Sequence, residues 1–140
     1  MLNNSKLRKI FIISLIFISF VGCDKYDDGI PNVSFKITLH LDTELSTLGH
    51  MQARKIQGGV NGIIIFRMAD AEFNAYERTC PYEPEKNCQV DFNEGDLFAT
   101  CQCCGSEFDL IYGDLREGPS KWPLKKYRTS ISNSFLTIYN

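Results

Sequence analysis

Cys101-Gln102-Cys103-Cys104-Gly105-Ser106-Glu107-Phe108-Asp109 is the stretch on which the reading of this chain turns. Three thiols stand within four residues, and a Cys-x-x-Cys turn followed by glycine is the kind that brings two sulfurs to one metal. A second group lies upstream in Arg78-Thr79-Cys80-Pro81-Tyr82 and Cys88. Gly113, Gly118-Pro119-Ser120, Pro123-Leu124 and Tyr127 follow downstream. Glycine and proline in such places shape turns, whatever else they do.

Around these loops the periodicity is that of strands. Val33, Phe35, Ile37, Leu39 and Leu41 alternate with Ser34, Lys36, Thr38 and His40, the pattern of a half-buried strand. Residues 63–68 and 72–78 predict two strands joined around Ala69-Asp70-Ala71, and residues 89–92 and 97–100 a further pair across Asn93-Glu94-Gly95-Asp96. Residues 127–132 and 135–139 predict a closing hairpin through Asn133-Ser134. Residues 42–57 have weak periodicity and read as loop with one helical turn at most. Many short strands and no long amphipathic helix make the fold all-β, an antiparallel sandwich or barrel.

The first residues predict export. Lys6, Arg8 and Lys9 precede an uncharged apolar run, residues 10–21, that is short for a membrane span. It ends in Phe20-Val21-Gly22-Cys23, similar to the lipobox of bacterial lipoproteins: Gly22 gives a peptidase room and Cys23 offers the thiol to be lipidated, although Phe20 stands where leucine is usual. The expected organisation is a signal peptide over 1–22, a lipid-anchored, solvated tether over 23–31 and one domain over 32–140. Localisation would be the cell envelope, with the membrane as a partner through the anchor. Losing Lys6, Arg8 and Lys9 makes the mature chain three charges more negative than the formal −2 of the whole. With no basic stripe, nucleic acid is excluded as a partner. Beside Cys23, five cysteines remain, and an odd set cannot all pair internally. An oxidising compartment favours at least one disulfide, so the other thiols call for a different explanation, such as a metal.

From Gly59 to the C-terminus, these motifs resemble the Rieske iron-sulfur proteins. That family holds a [2Fe-2S] cluster between a Cys-x-His loop and a Cys-x-x-His-Gly-Ser-x-Phe/Tyr-Asp loop, with a Gly-Pro loop covering it. The resemblance implies an antiparallel sandwich or barrel carrying a small two-loop cluster-binding subdomain. It implies that Cys80 and Cys101 ligate the inner iron and that Ser106 bonds a cluster sulfide. Gly105, Gly118 and Pro119 would complete the surroundings. Cys88 and Cys103 match a disulfide that braces the loops in one branch of the family. Phe108 stands where some members carry a tyrosine.

The chain departs from the family at the ligands. Tyr82 takes the place of the first histidine and Cys104 that of the second. His40, in the polar phase of a strand, and His50, after a loop glycine, read as surface residues. Three outcomes follow. A [2Fe-2S] cluster persists on Cys80, Cys101 and Cys104 with Cys88 or Tyr82 as fourth ligand; or Cys80, Cys88, Cys101 and Cys104 bind zinc; or the site is empty and braced by disulfides, with Cys80 joined to Cys101 or Cys104. The expected function is one-electron transfer to a redox partner protein, by a carrier and not a complete enzyme, since no catalytic dyad in a pocket is legible. The competing class is a cluster-less binding or assembly module.

Overall fold

The computed structural model describes residues 27–140; the expected signal peptide, Cys23 and residues 24–26 lie outside the described residues. Ten strands follow one another: β1 (Lys36–His40), β2 (Gln52–Ile56), β3 (Ile63–Ala69), β4 (Glu72–Glu77), β5 (Val90–Asp91), β6 (Phe98–Cys101), β7 (Glu107–Asp109), β8 (Leu115–Glu117), β9 (Lys126–Ser132) and β10 (Phe135–Tyr139). They form two antiparallel sheets, a six-stranded one in the order β1-β10-β9-β4-β3-β2 and a four-stranded one in the order β5-β6-β7-β8. The large sheet curls into a half-barrel. Its two halves meet at the short pairing of Ala75 with Tyr127 and Tyr76 with Lys126.

Strand β3 is the wall between two cores. Its first four residues, Ile63 to Phe66, are all fully buried, so both of its faces are covered. Ile64 and Phe66 pack with Tyr76, Val90, Phe108 and Leu110 towards the small sheet, whereas Ile63 and Ile65 pack with Phe73, Tyr127, Leu136 and Ile138 inside the curl. Each such side chain contributes about 1.5–3 kcal/mol by leaving water. Exposed ion pairs such as Lys55 with Asp91 contribute at most about 1 kcal/mol each, so burial of β3 dominates. Phe35, Ile37, Leu39 and Leu41 pack against the inner core, as their alternation requires.

Two stretches differ from the sequence reading. Residues 52–56, read as loop, are strand β2, paired with β3 from Gln52 opposite Arg67 to Ile56 opposite Ile63. This strand lies at the sheet edge, and its polar side chains have partners there: Arg54 donates to the Glu44 carbonyl and Lys55 pairs with Asp91. Hydropathy is blind to a strand fixed that way. The tether, read as solvated up to residue 31, is docked from Asp28 onward, with Asp28 and Ile30 buried.

A buried carboxylate joins the half-barrel to the loop that follows β4. Glu77 is fully buried and accepts from the backbone N–H of Val60 (2.7 Å), Asn61 (2.9 Å) and Thr79 (2.9 Å), and from the hydroxyls of Thr79 (2.8 Å) and Tyr127 (2.5 Å). No position is left for a side chain at Gly59, where a Cβ would lie 2.3 Å from Glu77 Oε2. Burial, and then Glu77, push the Tyr127 hydroxyl well above the ordinary tyrosine range, so it keeps its proton and donates. Tyr127→Phe should lower stability by about 1.5–3 kcal/mol, the range for a hydrogen bond to a charged group. Urea unfolding measures this; a midpoint unchanged at constant slope would remove the Glu77 clasp from the account of stability.

Candidate metal centre

Backbone pairing sets the first cysteine loop. Val90 N–H donates to Arg78 O (2.7 Å) and Cys80 N–H to Cys88 O (2.7 Å), so the chain leaves β4 and returns beside itself like a wide hairpin. A 3-10 turn at Pro84–Lys86 fills the loop, and Asn87, in the left-handed region at φ 53°, ends it. The second loop is tighter. Cys101 N–H donates to Ser106 O and Gly105 N–H to Cys101 O, both at 2.8 Å, closing a turn in which Gly105 takes φ +76°. Nothing crowds a Cβ at Gly105, so the backbone angle is what favours glycine there.

Cys88 and Cys103 are joined as a disulfide with Cα atoms 6.1 Å apart, tying one loop to the other. Cys80, Cys101 and Cys104 are free, and their sulfurs all lie within 4.8 Å of one another. Cys80 and Cys101 belong to the core between the sheets, while Cys104 is half-buried. Cys80 Sγ and Cys104 Sγ are 3.6 Å apart. Among the described residues this is the one group of three or more histidine, cysteine or acidic side chains close enough to share an ion.

Ser106 governs the rim. It is fully buried, and its hydroxyl oxygen accepts from Ser120 N–H at 3.1 Å and from the Cys104 thiol at 3.2 Å; once Cys104 is a thiolate, the same hydroxyl can turn and donate to it. Gly118, in the covering turn, comes so close that a Cβ would lie 2.4 Å from Ser106 Cα, whereas Pro119 is exposed. Burial opposes ionisation of Cys104, but the Ser106 hydroxyl and backbone N–H, then Cys101 and Cys80, bring it below the ordinary thiol value. Burial, followed by Cys101, pushes Cys80 far above that value. Cys104 therefore ionises more readily than Cys80.

Of the two residues expected as a fourth ligand, Cys88 has its sulfur in the bridge to Cys103, and Tyr82 is 42% exposed. His50 Nε2 lies 2.7 Å from Asp70 Oδ1, and the His40 ring packs edge-on against Phe135 while its Nδ1 accepts from Asp42 N–H. Neither histidine joins the sulfurs. Phe108 is fully buried in the core behind them. Sequence reasoning gave no role to Ser120, whose backbone N–H holds Ser106; an N–H leaves no mark in residue type.

Three thiols suit a thiophilic metal, one donor short of the four that a [2Fe-2S] cluster or a closed zinc site takes. Thiolates on one tetrahedral ion with metal–sulfur bonds of about 2.3 Å stand about 3.8 Å apart, close to the Cys80–Cys104 separation of 3.6 Å. Without metal, the same proximity exposes the pair to oxidation. A dithiol oxidant such as diamide should take two electrons and two protons from Cys80 and Cys104, forming one S–S bond and leaving Cys101 as the single thiol. Peptide mapping checks this; Cys101 recovered in a disulfide would contradict it.

No protein-family model matches the sequence, and no curated protein sequence does. Solved structures do match the fold. The cyanobacterial plasma membrane Rieske protein of Synechocystis PCC 6803 superposes with a TM-score of 0.55 at 19% identity, over 73% of this chain and 97% of its own. A ferredoxin of Sphingomonas yanoikuyae B1 gives 0.52 at 18% identity, over 76% and 99%. A chain in the complex of reduced oxygenase and oxidised ferredoxin of carbazole 1,9a-dioxygenase gives 0.51 at 16% identity, over 78% and 94%. At such identities the likeness is one of fold, and by that fold the described residues form a Rieske-like domain.

Proposed function

We propose that this protein is an envelope lipoprotein, anchored through Cys23, whose Rieske-like domain passes single electrons to a partner protein through a metal centre held by Cys80, Cys101 and Cys104. The observation that carries this reading is the convergence of three free thiols between two braced loops, on a fold shared with Rieske proteins and ferredoxins. A [2Fe-2S] cluster would supply the one-electron step. Cys80 and Cys101 would hold its inner iron and Cys104 its outer one, with Tyr82, or Cys88 once its bridge is reduced, completing the set. Ser106 would donate to a sulfur at the rim, and the turn at Gly118-Pro119 would keep water from it. The neighbour in which a ferredoxin meets an oxygenase supports a protein oxidoreductase as the partner class.

One observation favours a second reading. The 3.6 Å between Cys80 and Cys104 is the spacing of ligands on a single ion, which supports structural zinc in a binding module on the same fold. Iron, acid-labile sulfide and zinc per chain, measured after anaerobic purification from the native compartment, separate the two. Two irons and two sulfides support the carrier, and zinc alone replaces it.

A cluster at this site should have a low potential that varies little with pH. Imidazole ligands can lose a proton on oxidation and so lower the potential as pH rises; metal-bound thiolates have no proton left to lose. Cysteine ligation should place the potential nearer the roughly −400 mV of plant-type ferredoxins than the range of about −150 to +300 mV of Rieske centres. Protein-film voltammetry between about pH 6 and pH 10 reads both quantities. A positive potential with an alkaline slope would require a proton-bearing ligand and defeat the assignment.

A further inference from the structure

Asp28 to Val33, at the start of the described chain, are fastened to the domain by a set of contacts that centre on Lys125. Lys125 Nζ donates to Ile30 O at 2.9 Å and to Asn32 Oδ1 at 2.8 Å, and lies 3.9 Å from Asp28 Oδ1. The Asp28 and Lys125 side chains are only 7% and 11% exposed, so this is a buried clasp and not a surface pair. Asp28 Oδ1 also accepts from Ile30 N–H at 3.0 Å, which closes the turn through Gly29 at φ +68°. Farther along, Asn140 Nδ2 donates to Val33 O at 2.9 Å.

The place of the clasp matters as much as its strength. A Cβ on Gly29 would lie 3.0 Å from Pro84 Cγ, so the arm runs against the loop between Cys80 and Cys88. Lys125 follows Pro123-Leu124, just beyond the turn whose Ser120 supports Ser106. Both contacts are at the thiol-bearing end. The opposite end is marked by the β9–β10 turn, where Leu41 N–H donates to Ser134 O. Strand β1 separates the two, running from Lys36 opposite Tyr139 to His40 opposite Phe135, about 14 Å of extended chain.

We propose that the clasp is an orienting device that holds the thiol-bearing end of the domain against the lipid headgroups. The inference rests on the reading of Cys23 as an acylated anchor. Only Asp24 to Asp27 separate Cys23 from the clasped Asp28, and at about 3.6 Å per residue that chain reaches at most about 18 Å. Were the arm free as far as Val33, the reach would double to about 35 Å and the domain could tumble above the membrane. With the clasp closed, the end bearing Pro84 and Tyr112 stays at the surface and the turn at Asn133-Ser134 faces away. Tyr112, 70% exposed on the wall beside the arm, is an aromatic with a polar tip at the height of the headgroups.

The test uses the full mature lipoprotein, 15N-labelled, in phospholipid nanodiscs carrying a gadolinium chelate on a fraction of the headgroups. Amides of Glu85, Lys86 and Tyr112 should broaden several-fold more than those of Asn133 and Ser134. Lys125→Met, which opens the clasp, should reduce that contrast severalfold, and so should a Gly-Ser insertion between Asp24 and Lys25, which lengthens the leash and leaves the clasp intact. Should Lys125→Met not fold, the insertion still decides. Uniform broadening of an acylated chain, or a contrast indifferent to the insertion, overturns the orientation. Intact mass of the same sample reads the anchor separately, and a chain without an acyl group overturns the lipoprotein reading and the leash with it.

Discussion

The Glu77 carboxylate is the constraint on which the remainder of the domain depends. A carboxylate in the interior is costly unless its lone pairs are met, and here donors come from three places: the turn before β3, the exit of β4 and the head of β9. The three must therefore stay in one arrangement. Cys80 lies three residues beyond Glu77, with Thr79 bonded to the carboxylate twice in between. The position of the first thiol thus descends from a buried acid in the half-barrel, across the boundary between the two sheets.

Much of this architecture was legible in the sequence. The strands read over residues 63–68 and 72–78, which the structure has as Ile63–Ala69 and Glu72–Glu77, and the hairpin that ends the chain follow from apolar patterning and turn chemistry, and the resemblance indicated an all-β Rieske-like fold. Strand β2 was not legible, because Gln52, Arg54 and Lys55 serve an edge through polar contacts and show no hydrophobic phase. Nor was the clasp of the N-terminal arm, since Asp28 and Lys125 stand far apart in sequence and each alone reads as a solvated charge. The residues of the candidate site were named by motif. The resemblance also implied the bridge of Cys88 to Cys103 that the structure has, whereas the approach of Cys80 to within 3.6 Å of Cys104 is a matter of tertiary geometry, which spacing does not specify.

By the resemblance, Tyr82 and Cys104 stand where the Rieske pattern has two histidines, a difference that would bear on the site's electrostatics more than on its shape. The turn, the Ser106 hydrogen bonds and the close approach of Gly118 are all present around Cys104. A thiolate at this rim adds negative charge where a neutral imidazole would add none. Hydrogen bonds from Ser106 and the neighbouring thiols favour that charge. A metal is the natural counter-charge for such an arrangement.

The sulfurs also impose an order on maturation. Cys103 and Cys104 are neighbours in sequence, yet one is bonded and the other is free, so a chain oxidised while unfolded has no local reason to choose correctly between them. The choice is made by the hairpin that sets Cys88 beside Cys80 and by the turn that separates Cys103 from Cys104. Folding must therefore precede oxidation. A chain that meets oxidant too early would lock a thiol of the site into a bridge, and thiol exchange would have to release it before any metal could be loaded.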